Sequence, residues 1–404
     1  MAIASGIAKQ VRYKAESTYN TAPGASGAQS LRRVESSLDI TKDTYASAEL
    51  RTDYQVSDFR HGTRRTSGQI KGELSPLTYA DFLAASLRKD FVAGASSSSL
   101  SLTIAGSGPY TITRGSGSWL TDGFKSGDVV RITAGSVNAS NLNKNLYVTA
   151  VTSATVLTVV VPNGSAMVAE GPIASCTCAV TGKKSYTPTT GHTDKSFAIE
   201  HWFSDVSLSE LYLGCKVSAV DIALPPTGLA TIGLDFMGSG SITTASSAYY
   251  TSPTAATTTG IAASVNGLLY IGGTAVATCT GLSFRVDGGY SGDPVVGSNY
   301  MPAIFPGRVN VTGQFTAYFE SATFRDAFLN ETELAISALL TSDNTATANF
   351  LAFNAPRIKL GSSQRSDGEK GLILTANFQA LYNGSGGTGI ASEQTTLSIQ
   401  DSAA

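Results

Sequence analysis

Short runs of β-branched and aromatic residues, separated by glycine, asparagine and proline, recur through most of this 404-residue sequence. Clear examples are SFAIEHWF at 196–203, LATIGLDFMG at 229–238 and PGRVNVTGQFTAYFE at 306–320. Short strands bounded by turn residues at this spacing are typical of sandwiches and barrels. The sequence therefore predicts a mainly β fold.

One segment has strong helical periodicity, SPLTYADFLAASLRKDF at 75–91. Pro76 near its start and Arg88 near its end suit the two termini of a helix. We predict one helix that flanks the β fold. A second, shorter stretch, FRDAFLN at 324–330, is helix-like.

The middle of the chain differs from its flanks because it is almost free of charge. Residues 93–181 contain β-rich runs such as NLYVTAVTSATVLTVVV and only seven charged residues. This pattern predicts a small β-barrel or sandwich of its own. The charged residues are Arg114, Asp122, Lys125, Asp128, Arg131, Lys144 and Glu170.

The composition on either side of this middle segment suggests linkers. VAGASSSS at 92–99 is expected to be a flexible linker, and TGKKSYTPTTGHTDK at 181–195 an exit linker. We therefore predict a β domain in two parts, 1–92 and 182–404, interrupted by a small β domain at 93–181.

The stretch FRHGTRRTSGQIKGEL at 59–74 is the most basic passage. Residues 31–75 contain eight basic residues and seven acidic ones, so the segment is nearly neutral. A DNA-binding strip would be one-sided and would include aromatic residues for stacking. We predict a strand at 31–40 followed by a long loop at 41–66. The mixed charge favours pairing with another subunit through Arg–carboxylate contacts; a solvated loop with idle charges is the alternative.

The chain as a whole offers no sign of catalysis, metal binding or a cofactor. Its net charge is −2 and its charged fraction 14%, so no general attraction to nucleic acid or membranes is expected. The three histidines fit no zinc or triad pattern, and four scattered cysteines predict reduced thiols. The amino-terminal residues do not resemble a secretory signal, and no apolar run is long enough for a membrane span.

Three short motifs resemble functional sites, but their sequence context does not fit those sites. NGSGGTG at 383–389 contains GxGxxG, but a strand-like segment follows instead of a helix, which predicts a hairpin loop. CTC at 176–178 places two thiols on one strand face without a second pair for zinc. DGGYSGD at 287–293 misses the calcium-loop spacing and is interpreted as a glycine turn.

The order of features resembles the tail tube proteins of long-tailed bacteriophages. The resemblance covers about 5–92 and 185–400, and it is carried by ESSLDI, FRHGTRRTSGQIKGELSP, TYADFLAASL and LGCKVSAVDIALPPTGLATIGLDFMG, followed by SVNGLLYIGG, TGLSFRVDGGY and PGRVNVTGQFTAYFE. GFKSGDVVRIT, within the middle segment, resembles small β modules of other phage tail proteins. The resemblance implies a tail-tube β-barrel or sandwich interrupted by an inserted decoration domain.

A tail tube protein is expected to form hexameric rings that stack into a hollow tube. The resemblance implies a lumen that holds the tape measure protein and then conducts genomic DNA without sequence-specific binding. It also implies a tail terminator and distal tail or baseplate proteins as partners, assembly in the host bacterial cytoplasm, and no catalytic residue, cofactor or membrane. A sheathless, siphovirus-like tail is expected.

The long charged segment is then the expected contact between subunits or rings. Six of its side chains are predicted contact residues: Arg51, Asp53, Asp58, Arg60, Arg64 and Arg65.

Three alternatives remain open from the sequence. One is a secreted or virion-surface adhesin or glycan-binding protein, which the Ser-, Thr- and Gly-rich composition allows. Another keeps the tail tube and gives the inserted domain a host-surface or glycan-binding role. The third is a hydrolase with an unrecognised triad.

Overall fold

The computed structural model describes residues 3–367, 369, 371–384 and 392–404. These residues form a mainly β fold, which confirms the predicted class. Most strands were expected from alternating apolar residues. In CTGLSFRVD, for example, Leu282, Phe284 and Val286 are buried while Arg285 between them is exposed.

The elements follow in chain order. The first part forms β1 (Lys9–Ala15), β2 (Gln29–Ser30), β3 (Glu35–Ser36), β4 (Asp39–Ala46), β5 (Phe59–Glu73), α1 (Ala80–Leu87) and β6 (Val92–Ala93). The middle forms β7 (Ser96–Ala105), β8 (Tyr110–Arg114), β9 (Val129–Ala134), β10 (Leu146–Val151), β11 (Val156–Val160) and β12 (Glu170–Val180). The last part forms β13 (Lys183–Tyr186), β14 (Phe197–Phe203), β15 (Leu208–Leu224), β16 (Thr231–Gly238), β17 (Ile242–Ala245), a 3-10 turn (Ser264–Asn266), β18 (Gly267–Ile271), β19 (Thr274–Ala275), β20 (Cys279–Asp287), β21 (Asn310–Tyr318), α2 (Thr323–Leu329), β22 (Leu334–Thr341), β23 (Phe350–Leu360), β24 (Gln364–Arg365), β25 (Ile373–Ala380) and β26 (Ser398–Asp401).

The long strand β15 joins two antiparallel sheets. Its first half pairs with β14 and β17, and β14 continues to β1 and β2. Its second half pairs with β16 and β20. Gly214 lies between the halves with a φ of 65°, a backbone conformation that glycine adopts without strain. One strand therefore serves both sheets.

The second sheet extends on both sides of β15. Beyond β16 it continues to β5, which also pairs with β3 and β4. Beyond β20 it continues through β21 and β25 to β23. Strand β23 leads to β22, β18 and β19 on one side and to β26, β13 and β6 on the other. We call the two sheets and their helices the body.

Helix α1 packs its apolar face into the core that the two sheets share. The Phe82 ring lies 4.5 Å from that of Tyr13, 4.9 Å from Phe197 and 5.5 Å from Phe236 (centroid distances). Aromatic rings at such distances contribute beyond their buried area. The helix thus fastens β1 and β14 to β16.

The helix is shorter than the predicted 75–91. Leu77 has a φ of 69° and the Ser75 and Thr78 hydroxyls bond to each other, so the chain before Ala80 is not helical. Arg88, with a φ of 59°, ends the helix in a left-handed cap. Helix α2 covers most of the stretch 324–330 that was expected to be helix-like, so the structure has a second short helix beside the flanking one.

Residues 96–180 form a closed six-stranded barrel, in the order β10, β11, β8, β7, β12, β9. Its core is separate from that of the body and centres on Trp119 and Phe124, whose rings meet edge to face at 4.8 Å. A small barrel at this place agrees with the sequence pattern. That residues 93–181 are a separable inserted domain stays a prediction.

Both predicted linkers were wrong in part. Within 92–99, Val92 and Ala93 form β6 and the serines at 96–99 begin β7, in which Leu100, Leu102 and Ile104 alternate inward. Within 181–195, β13 pairs with β26 and β6 and belongs to the body. Composition did not predict these strands, because the serines at 96–99 occupy mostly exposed strand positions and the buried Lys184 is a residue type usually found in solvent.

The predicted strand at 31–40 and loop at 41–66 were also wrong. The first region contains only the two-residue β3 and the start of β4. The second forms most of a β-hairpin, in which the charged stretch 59–73 is a single strand, β5. Both faces of the hairpin lie largely in solvent, so its sequence lacks the apolar alternation that marks a strand.

Candidate assembly surfaces

A hairpin extends beyond the sheet and consists of residues 41–65, here called the arm. Within it β4 pairs with β5 from Thr41 opposite Arg65 to Ala46 opposite Phe59, with a bulge near Lys42. Pairing of β5 with β16 begins only at Thr66, so the arm has no third strand. Two-stranded hairpins are marginally stable alone.

Three of the arginines in the arm form ion pairs with nearby carboxylates. Arg51 contacts Asp53 and Arg60 contacts Asp58, each at 2.7 Å. The Nη2 of Arg65 donates to both carboxylate oxygens of Asp43, at 2.7 and 2.9 Å. These contacts bring together five of the six predicted residues as local pairs: Arg51 with Asp53, Asp58 with Arg60, and Arg65 with Asp43, an acid that was not predicted.

Arg64, the sixth predicted residue, lies at the base of the arm. Its side chain is half-buried, and its Nε is buried without a hydrogen-bond partner. Its backbone N–H donates to the Asn299 carbonyl at 2.9 Å, which ties the arm to the loop that follows β20. Arg64 therefore anchors the arm, whereas the other arginines line it.

The arm also exposes large apolar side chains, which the charge count did not reveal. Leu50 is fully exposed, Tyr54 is 99% exposed and Val56 is 71% exposed, all in the loop 47–58. Apolar side chains grouped on a protruding element commonly mark a protein contact. The apolar residues are visible in the sequence AELRTDYQV, but this stretch was interpreted as part of a polar loop.

A second surface is the solvent face of the sheet around β15. Arg285 on β20 donates to Asp221 on β15 at 2.5 Å and to Asp235 on β16 at 3.2 Å. Gln69 on β5 donates to Asp235 at 2.9 Å. With Gln314 and Asn377, whose side chains bond at 2.8 Å on β21 and β25, these residues form the polar sheet face. The alternation in LSFRVD and VNVTGQF could have revealed it.

Comparison with known protein families shows what kind of protein carries these surfaces. Residues 6–380 match the family described as phage tail tube protein. This chain belongs to that family. No curated protein matches the sequence significantly.

As a tail tube protein, the chain is a structural component of a virion tail and assembles into a tube with other tail proteins. The family match supports this interpretation rather than the alternative of a secreted or virion-surface adhesin. A structural family is consistent with the expectation of no enzymatic activity.

The tail tube protein holds its barrel against the body through a buried ion cluster, here called the clamp. Lys184 on β13 bonds to Asp128 of the barrel and, at 3.0 Å, to Glu393. Lys184 and Asp128 are both buried. Burial lowers the pKa of Lys184, but the two carboxylates outweigh it and raise that pKa above its ordinary value. The side chain is therefore a charged ammonium between two acids.

Hydrogen bonds and apolar packing complete this attachment. The Gln400 side chain of the body accepts from the Val129 N–H at 2.9 Å and donates to its carbonyl at 2.8 Å, as a strand backbone would. Barrel residues Val129 and Tyr147 share a buried cluster with Leu339 and Phe350 of the body. The clamp was not predicted, because KKSY at 183–186 was assigned to a linker.

His201 in the body and Cys178 in the barrel are buried and uncharged at neutral pH. Burial, with smaller effects of Lys9 and Arg33, lowers the pKa of His201 to about 3, so the ring is uncharged at neutral pH. Burial raises the pKa of Cys178 to about 12, and Cys178 lies with Cys176 in the barrel core. Such thiols are poor nucleophiles.

The remaining candidates add no reactive centre. Among the residues that the structure describes, no group of three His, Cys, Asp or Glu side chains could hold a metal ion. The predicted glycine turn at 287–293 follows β20, where the Gly289 N–H donates to Asp287 at 2.8 Å. Most of the NGSGGTG stretch, 385–389, lies outside the described residues. Neither α1 nor α2, the α-helices in the described part, is a candidate membrane span.

Proposed function

We propose that this tail tube protein forms hexameric rings that stack head to tail into the hollow tube of a phage tail. The family match over 6–380 is the observation that carries the proposal. The arm supports it, because a two-stranded element with exposed Leu50, Tyr54 and Val56 is suited to burial against another subunit. The exposed ion pairs of Arg51, Asp53, Asp58, Arg60 and Arg65 can exchange partners at little cost.

The lumen of this tube holds the tape measure protein until infection and then conducts genomic DNA. The polar sheet face is our candidate for the lumen wall. The side chains of Gln69, Gln314 and Asn377 on this face are uncharged amides, and the guanidinium of Arg285 is matched by Asp221 and Asp235. On the same face of β5 as Gln69, the ammonium of Lys71 is matched by Glu35. Because DNA affinity comes mainly from cations that neutralise phosphates, such a wall lets DNA pass without holding it.

The rest of the particle follows from the same proposal. The ring closes, whereas stacking is a heterologous contact that repeats, so each end of the tube needs a different protein to stop it. We propose that a tail terminator binds one end of the tube and that distal tail or baseplate proteins bind the other. Assembly takes place in the cytoplasm of the host bacterium, and the tail is siphovirus-like and sheathless.

We further propose that 93–181 is an inserted domain on the outside of the tube. The chain enters and leaves it side by side, since Ala93 on β6 pairs with Lys183 on β13. A barrel in the lumen would obstruct DNA. A variant that lacks 94–181, closed by a short Gly/Ser join, is expected to fold with lower stability, because Leu339 and Phe350 lose their cover, and to assemble still. A folded variant that forms no tubes would contradict the outer placement. A host-surface or glycan-binding role of this domain stays a hypothesis.

Electron microscopy of the purified protein tests the main proposal. Tubes or six-fold rings are expected. Particles that stay monodisperse monomers at high concentration would overturn it.

A further inference from the structure

An apolar pocket of about 340 Å³ opens where β15 ends. It lies between the end of β15, the start of β20 and the β18–β19 hairpin. Val265 at the pocket is 85% exposed, so the apolar surface continues outside it. The residues that line it include Leu224, Pro226, Val265, Leu268, Val276 and Ala277.

This pocket lies in the least charged part of the chain. Residues 236–284 contain no Asp, Glu, Lys or Arg, and most of the pocket wall comes from 264–282 within that run. An apolar side chain can therefore enter without desolvating a charge, whereas an ionised group would lose its hydration without a partner. The pocket selects an uncharged apolar occupant.

The tip of the arm has the matching character. Leu50, Tyr54 and Val56 project from it. Of the charged residues near them, Arg51 and Asp53 pair with each other, and Glu49 accepts a hydrogen bond from the Ser57 hydroxyl at 3.1 Å. The tip therefore offers apolar side chains whose charged neighbours are bonded within the arm.

The pocket and the arm lie at opposite ends of the same strands. Along β5, Thr66 at the base of the arm pairs with Gly238, and Glu73 pairs with Thr231. Thr231 also pairs with Ala223, next to the pocket residue Leu224. The seven steps from Thr66 to Glu73 span about 24 Å at ~3.4 Å per residue. The arm continues away from that end, so it points away from the pocket of its own chain.

We propose that the tip of the arm of one copy docks in this apolar pocket of a second copy. The occupant is a copy of this chain because the arm tip exposes apolar side chains that suit the pocket, and because the arm and the pocket sit at opposite ends of one sheet. Such a contact is heterologous and open-ended, as stacking requires. The inference rests on the proposed tube and names the surface that receives the arm.

Crosslinking tests the contact directly, since Cys279 lines the pocket and is half-buried while the other three cysteines are buried. The variant Leu50→Cys, assembled and treated with a short bis-maleimide, should give a ladder of dimers, trimers and longer covalent chains. The same variant with Cys279→Ser should give no ladder. Tubes that give no ladder, or a ladder that persists with Cys279→Ser, would overturn the inference.

A substitution in the pocket gives independent evidence. Ala277→Glu places a carboxylate in the pocket and should lower the pelletable tube fraction at least about tenfold, which corresponds to ~1.4 kcal/mol per contact. Thr274→Glu, on the same hairpin and outside the pocket, is the matched control and should assemble normally. Normal tubes from Ala277→Glu would contradict docking here. Wild-type protein that forms no tubes would instead refute the proposed function itself.

Discussion

The arm and the barrel are both small β elements attached to one body, and they use their charges in opposite ways. In the arm, the pairs of Arg51 with Asp53 and Arg60 with Asp58 lie in solvent. In the barrel, Arg114 is buried and paired with Asp122, and Asp128 is buried against Lys184. Exposed pairs contribute about 0–1 kcal/mol each, whereas breaking a buried pair costs ~3–5 kcal/mol.

This difference separates two roles. The barrel has its own core and is fixed in place by the clamp and by Gln400. The arm has no core of its own, and the apolar side chains at its tip are exposed in the single subunit. Charge that is buried inside one chain stabilises that chain, while charge and apolar surface left exposed are available for assembly.

The largest change in the free energy of unfolding is expected from a substitution in the barrel core. Trp119 is fully buried, stacks against Arg114 and donates from Nε1 to the Thr155 carbonyl at 2.9 Å. Trp119→Ala should lower the free energy of unfolding by about 4 kcal/mol, from lost burial and the cavity left behind. The control is Leu120→Ala, at the neighbouring position, where the side chain is 44% exposed. This variant should change the free energy of unfolding little. Denaturant unfolding of the subunit measures both, and equal effects would refute the separate core.

The clamp is expected to come next. Lys184→Met leaves Asp128 buried without its cation and should cost about 3 kcal/mol of unfolding free energy. Lys183→Met, at the exposed neighbouring position, should have little effect. If both variants unfold alike, the barrel is not fixed by this ion cluster.

The free energy of unfolding is also expected to depend on pH, through a histidine in the body, and the change should be similar in size to that of the clamp variant. His201 is buried in the body with a pKa lowered to about 3, so it stays neutral when folded but takes up a proton when unfolded. Its contribution to stability is complete above the unfolded pKa of about 6.5 and is lost as the pH falls toward 3. Between pH 7 and pH 4 the loss should be roughly 3 kcal/mol, at about 1.36 kcal/mol per pH unit.

Two histidine variants isolate this effect. His201→Asn should flatten the acid limb of the stability profile. His61→Asn, at an exposed position in the arm, should leave it as in the wild type. An unchanged profile for His201→Asn would show that other groups set the acid sensitivity.

The smallest stability change is expected in the arm, with the largest effect on assembly. Replacing Arg60 and Arg65 by Glu should alter the free energy of unfolding by no more than about 1 kcal/mol, because their ion pairs are exposed. The triple variant with Arg64→Glu also places a carboxylate at a half-buried position. Tube growth should stop, as the arm acquires a strong negative charge. Since Arg64 also anchors the arm, the double variant that retains it is the control for folding. Normal tubes from the folded triple variant would exclude the arm as a contact.

Sequence patterns predicted the body best where one strand face is buried. Strands such as β16, β20 and β21 alternate apolar and polar residues, and α1 keeps helical spacing, so the core pattern is visible in the chain. The arm was mistaken for a loop because neither of its faces is covered within the subunit. The clamp was missed because Lys184 is buried by Asp128 and Glu393, partners that are distant in sequence. Contacts of that kind leave no local periodicity.

Hydrogen–deuterium exchange of the isolated subunit and of the assembled protein tests the contrast between arm and barrel most directly. Peptides from 47–58 should exchange quickly in the subunit and slow markedly on assembly, because the arm tip becomes covered. Peptides from the barrel core, such as those of β8 and β10, should exchange slowly in both states. If 47–58 exchanges equally fast in assembled tubes, the arm is not an assembly contact.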